Sequence, residues 1–174
     1  MFTLAEISDL AIRIEINGKK AYEKALHEVS NPALASMLQR LAEDEAEHEK
    51  WFKALKEKVK TSEEDQRLEE MGKAVLAGVL GDQAFSIQEA DFSRIEDRDA
   101  LLKLSIEFEK DTILFYEMLQ AFIQDEKILS QLNKIIEEEN HHIRLLRDFL
   151  EKGEALPIGY RQNQSPGLDD SKFK

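Results

Sequence analysis

The sequence predicts an all-α protein, a four-helix bundle built from two pseudo-symmetric helical hairpins joined by a long crossover connection. Three observations lead there. Apolar residues recur at alternating steps of four and three over long stretches, the spacing of one face of a helix. The second half repeats the first at a constant offset of 94 residues, with no gap. A length of 174 residues suits one domain with a full helical core. The bundle is expected over residues 1–156, with the crossover at about 60–97 and a mobile tail over 157–174.

The first helix is expected from about Thr3 to Val29. One stripe holds Ser8, Ala11, Glu15, Gly18, Tyr22, Ala25 and Val29, beside a second of Ile7, Ile14 and Ala21. Asn31-Pro32 ends that helix and begins the next, an N-cap followed by proline at the one position where its missing N–H is not needed. Leu34, Leu38, Leu41, Glu45, His48, Phe52, Leu55 and Val59 then form a bundle seam with two polar residues at its centre. After Val59 the pattern loosens, and Thr61-Ser62-Glu63-Glu64-Asp65 reads as the cap of a short helix running towards Gly81 within the connector. Asp97 or Asp99 is expected to cap a third helix with the stripe Leu102, Ser105, Glu109, Thr112, Tyr116, Leu119 and Ile123. The fourth runs from about Glu126 to Lys152, directs Leu132, Ile135, Glu139, His142, Leu146 and Phe149 inward, and stops at Gly153.

Composition narrows the function. With 36 acidic against 24 basic residues the formal net charge is -12, which repels phosphate backbones and anionic lipid, so no nucleic-acid partner is expected. The chain has no cysteine, hence no disulfide, thiolate zinc site or iron–sulfur centre of its own. The segment from Met1 to Glu6 has no basic region leading into an apolar run, and the uncharged stretch around Val75 to Leu80 is too short to span a bilayer. A cytoplasmic protein with no membrane partner is expected.

The chemistry comes from a conflict between pattern and polarity. Glu15, Glu45, His48, Glu109, Glu139 and His142 stand where the spacing demands core residues, and buried charges without partners are too costly to persist. At the offset of 94, Glu15 falls on Glu109, Tyr22 on Tyr116, Glu23 on Glu117, Glu45 on Glu139 and His48 on His142, which indicates duplication of a helix pair. A Glu and a His at i and i+3 lie about 4.5 Å apart along the axis and can reach one ion. Two such pairs and two lone glutamates make a di-metal site of the kind found in the cores of helix bundles. Four carboxylates balance two divalent ions, and oxygen-rich ligation with one imidazole per ion suits iron or manganese, with zinc or cobalt also able to bind.

Other residues read more simply. A single Glu-x-x-His is weak, since glutamate is abundant, and Glu138 with His141 forms one by composition alone. His141 lies one place off the inward register and is expected in solvent, His27 at a helix end, and Trp51 in packing. The run Glu43 to Glu49 reads as a solvated face with Glu45 its exception. Tyr22 and Tyr116 each follow a lone glutamate by seven residues, so each phenol is expected to donate to a ligand carboxylate on a neighbouring helix. Ala11, Gly18, Ser105 and Thr112 leave room for ions and an exogenous ligand.

The lone Glu with a Tyr seven later, the Glu-x-x-His about thirty residues after it, the long connector and the repeat resemble the rubrerythrin branch of the ferritin-like superfamily, over roughly residues 3–152. The resemblance implies two iron ions, with Glu45 and Glu139 bridging, His48 and His142 as terminal nitrogen ligands, and Glu15 and Glu109 completing the set. It also implies reduction of hydrogen peroxide or dioxygen, with iron cycling between ferrous and ferric states, in a cytoplasmic homodimer serving in oxidative stress. Two departures stand out. Typical rubrerythrins carry a four-cysteine rubredoxin-like domain, absent from this cysteine-free sequence, so electrons are expected from a separate donor such as a rubredoxin-like protein. They also carry an additional glutamate one turn from the third-helix ligand, where this chain has Ile106 and Thr112 on either side of Glu109. Ferritin-like iron oxidation and storage, or a structural metal site without turnover, are the alternatives.

Overall fold

A computed structural model describes residues 4–59 and 98–153. They form four helices: α1, Leu4–Glu28; α2, Pro32–Val59; α3, Arg98–Gln120; and α4, Glu126–Lys152. No strand occurs among the described residues. The crossover with its short helix, and the C-terminal tail, lie outside them.

The helix ends follow from local chemistry. Asn31 Oδ1 accepts from the backbone N–H groups of Ala33 at 2.9 Å and Leu34 at 3.1 Å, which satisfies donors that have no partner inside α2. Asp125 repeats the device in extended backbone, accepting from Lys127 at 2.8 Å and Ile128 at 3.2 Å. The Lys58 ammonium, 3.2 Å away, and then the two backbone N–H groups hold its carboxyl below the usual range. Gly153 stops α4 in the left-handed region, φ 69°, with its N–H donating to Phe149 O at 2.9 Å. Asp99, one of the two candidate caps, sits within the first turn of α3, where it favours the helix dipole and accepts from Arg98. Asp97, the other candidate cap, lies outside the described residues.

α1 and α2 form one hairpin across the short link 29–31, α3 and α4 the other, and the hairpins meet along α1–α3 and α2–α4. The stripes read from the sequence are buried on every helix up to the half-buried Val29 of the first and Leu55 of the second, with Leu38, Leu41, Phe52, Leu55, Leu102, Leu132, Leu146 and Phe149 wholly out of solvent. α1 and α2 approach more closely than α3 and α4. The reason is side-chain size, since Ala11, Gly18, Ala21 and Ala25 in α1 stand where α3 has Ser105, Thr112, Phe115 and Leu119. No described helix is long and apolar enough to cross a membrane.

The caps can be tested directly. Gly153→Ala meets no obstacle, since its Cβ would lie 3.8 Å from Arg98 Nη1, so its cost is conformational, roughly 1–2 kcal/mol. Asp125→Ala should cost about 1 kcal/mol through the lost cap. Urea denaturation midpoints equal to wild type would refute both.

Candidate metal centre

Four helices bring the six predicted ligands to one place. α1 supplies Glu15, α2 Glu45 and His48, α3 Glu109, and α4 Glu139 and His142, and none is more than 1% exposed. The i, i+3 spacing puts each Glu and His on one face of α2 or α4, and the duplication places the second pair opposite the first. Two groups result, Glu15, Glu45, His48 and Glu139, and Glu45, Glu109, Glu139 and His142, with the ligand atoms of each group within 4.8 Å of one another. Glu45 and Glu139 belong to both. The imidazole rings are 6.2 Å apart and inclined by 28°.

Two carboxylates unforeseen from the sequence aim those rings. His48 Nε2 meets Glu138 Oε2 at 2.8 Å, and His142 Nε2 meets Asp44 Oδ2 at 3.2 Å. With Nε2 engaged outward, Nδ1 faces the centre and is the nitrogen available to an ion. His48 Nδ1 lies 2.9 Å from Glu139 Oε1 and 3.6 Å from Glu15 Oε2. His142 Nδ1 lies 2.8 Å from Glu139 Oε2, 3.6 Å from Glu109 Oε1 and 3.8 Å from Glu45 Oε1. Asp44 is therefore no mere member of a solvated run, and Glu138 serves His48 of the opposite hairpin rather than standing idle beside His141. A signal existed, because Asp44 and Glu138 are themselves related by the 94-residue offset and each precedes a shared glutamate.

The tyrosines join α1 to α3. Tyr22 Oη donates to Glu109 and Tyr116 Oη to Glu15, so each phenol serves the lone carboxylate of the other hairpin. Tyr116 packs against Phe52 with centroids 4.9 Å apart, and Trp51 stands edge-on to the same ring at 4.8 Å. His27 is exposed at the end of α1. His141 is partly buried, has a partner, and stands outside both ligand groups.

Electrostatics divides the six ligands. Burial and the nearby Glu139 raise the Glu45 carboxyl well above its usual value, and the same two causes raise Glu109 to about 7. Burial opposes ionisation of Glu139 as well, but the two imidazoles overcome it and hold that group ionised well below the ordinary carboxylate range. Burial alone would discharge His48 and His142, yet the Glu139 charge and the carboxylates around each ring raise both. Burial, then the charge of the carboxylate each bonds, pushes both tyrosines up, so they remain donors.

The donor set fits metal ions. Among the described residues, Glu15 Oε2, both Glu45 oxygens, Glu109 Oε2, both Glu139 oxygens and both imidazole Nδ1 atoms are buried and have no hydrogen-bond partner outside the cluster of six. They face one another in the two ligand groups, where an ion would satisfy them together.

Removing metal should make stability depend on pH with a definite sign. Glu45 and Glu109 titrate higher folded than unfolded, so their ionisation costs stability as pH rises above 4.5. The histidines stabilise fully below their ordinary 6.5 and lose that contribution as pH rises through their raised folded values. The metal-free protein should therefore melt progressively lower from about pH 5 to pH 8, while bound metal, which needs deprotonated ligands, widens the gap between loaded and free melting temperatures. A flat metal-free profile in scanning calorimetry would contradict these protonation states. Glu138→Ala or Asp44→Ala should lower metal affinity about 10- to 100-fold. Metal titration showing unchanged affinity would deny the outer carboxylates their orienting role.

The rubrerythrin family profile matches residues 6–150. No curated protein matches the chain. A crystal structure from Thermotoga maritima, described as a ferritin-like diiron-carboxylate protein, is similar at 18% identity with a TM-score of 0.64, covering 87% of this chain and 97% of that one. That likeness establishes the ferritin-like fold. The family profile spans the helices and all six clustered residues, and the chain belongs to the rubrerythrin family.

Proposed function

We propose that the protein is a di-iron oxidoreductase reducing hydrogen peroxide or dioxygen with electrons from a separate donor. The observation that carries this reading is the pair of buried ligand groups sharing Glu45 and Glu139. Four carboxylates with one imidazole per group favour iron or manganese, and the same donors accept zinc. Bound iron would supply the two electrons that, with two protons, convert one hydrogen peroxide into two waters.

The chain's own groups prepare the site. Glu45 and Glu139, common to both ligand groups, would each serve both ions. Tyr22 and Tyr116 fix Glu109 and Glu15 by hydrogen bonds, and Glu138 and Asp44 fix the rings. Buried Leu41, Phe52, Leu102 and Leu146 keep bulk water away. The additional glutamate of typical rubrerythrins has no counterpart beside Glu109, because Ile106 is apolar and the Thr112 hydroxyl donates to Phe108 O at 3.0 Å. Glu109 therefore serves alone on α3. These 174 residues include no cysteine to hold an electron-carrying iron, so the reading takes the donor to be a rubredoxin-like carrier, and it includes a cytoplasmic homodimer acting in oxidative stress.

The test is metal content per chain on protein purified without added metal, then anaerobic reduction and stoichiometric hydrogen peroxide while ferric absorption is followed. Two irons and rapid reoxidation support the proposal. Two ions without a peroxide response would instead indicate storage or a structural site, which a sizing column separates by the presence or absence of a many-subunit shell. Tyr116→Phe should keep both irons and change reoxidation kinetics. Identical kinetics would reduce that tyrosine to packing.

A further inference from the structure

Gly18 lies one turn beyond Glu15 on the inward stripe of α1 and is buried. A Cβ at this position would stand 3.0 and 3.1 Å from the Phe108 ring atoms Cε1 and Cζ, and 3.3 Å from the Glu45 carboxyl carbon. The ring edge and the carboxylate together fill the notch that a side chain would otherwise occupy. The pseudo-equivalent residue is Thr112, which carries a full side chain bonded to its own helix.

The shared carboxylates lose their symmetry in the same region. Glu139 has one oxygen 2.9 Å from His48 Nδ1 and the other 2.8 Å from His142 Nδ1. Glu45 comes no nearer than 3.8 Å to His142 Nδ1, and its carboxyl lies against that of Glu15 rather than against a close imidazole. One shared ligand is gripped on both sides, and the other is located by the atoms packed around it.

We infer that Gly18 and Phe108 are positioning residues that set where the Glu45 carboxylate sits, and through it the affinity for the second metal ion. The inference rests on the two-ion reading proposed above. Gly18 is costly inside a helix on intrinsic grounds, and alanine would be preferred there if nothing else mattered. What alanine cannot do is leave both the ring and the carboxylate in place. Its methyl group must displace one of them by a few tenths of an ångström, and Glu45, the end of a flexible side chain with no close imidazole to hold it, is the one less firmly held.

The test uses the full-length metal-free protein and cobalt(II), followed by visible absorption, in wild type, Gly18→Ala, Phe108→Leu and the double variant. Wild type should take up two ions per chain. Gly18→Ala should keep the first binding step and lose about tenfold or more in the second, the size typical when support of a ligand is disturbed. The double variant should recover most of that loss, because the shortened residue 108 leaves room for the methyl group. Melting of each metal-free variant supplies the control. Unchanged binding in Gly18→Ala overturns the inference. So does an equal loss in both steps with a matching fall in metal-free melting temperature, which marks a general packing defect. Failure of wild type to take up cobalt would overturn the two-ion reading itself.

Discussion

Six ionisable side chains in the dry middle of a helical bundle form the constraint on which the rest of this structure depends. An isolated buried charge is not tolerable, so each of the six has to be neutralised, paired or bound to an ion. Without metal, protons and pairing can do this: Glu139 stays ionised between two imidazoles while Glu45 and Glu109 are held towards their neutral forms. Metal binding then becomes an exchange of protons for cations at fixed positions. The apolar layers above and below matter to the chemistry as well as to stability, because they keep the dielectric low enough for the exchange to be decisive.

The same polar centre joins the two halves of the fold. Tyr22 of α1 reaches Glu109 of α3, and Tyr116 of α3 reaches Glu15 of α1. His48 of α2 reaches Glu138 of α4, and His142 of α4 reaches Asp44 of α2. Every one of these bonds crosses between hairpins. Within a hairpin the helices pack intimately through apolar residues, whereas close approach between hairpins is limited, so the bonds that orient the ligands also fix the register of one hairpin against the other. A slip by one helical turn would break all four at once.

Much of this was legible in the sequence because the two strongest signals were periodic. Steps of four and three fixed the inward stripes, and the constant offset related the two Glu-x-x-His pairs, the lone glutamates and the tyrosines. Asn31 and Gly153 announced helix ends through chemistry that few other residues supply. Asp44 and Glu138 escaped because a residue preceding an inward one projects about 100° away around the helix, which reads as solvent. Their side chains are in fact only 25% and 33% exposed, at the margin between α2 and α4, where a carboxylate can reach the back of an imidazole. Of the two candidate caps for α3, Asp99 lies inside the first turn, the usual ambiguity of helix starts, and Asp97 lies outside the described residues. Gly18 was read as leaving room for ions and an exogenous ligand, whereas Phe108 and Glu45, which come from other helices, fill the space beside it.

Duplication explains why the ligands are symmetric, and divergence explains why their surroundings are not. The offset pairs Gly18 with Thr112, Asp44 with Glu138, Phe108 with Ile14, and Trp51-Phe52 with Leu145-Leu146. Two ions in such a site would meet the same donors behind different walls. Oxidation of both would add two positive charges to a closed, low-dielectric space, and the surrounding carboxylates would have to follow that change. Glu139, held by both imidazoles, suits a fixed pivot, and Glu45, with no imidazole as close, suits the ligand that moves. Under the proposed redox function, asymmetry in the packing would let a symmetric ligand set accommodate two charge states without loosening the bundle around it.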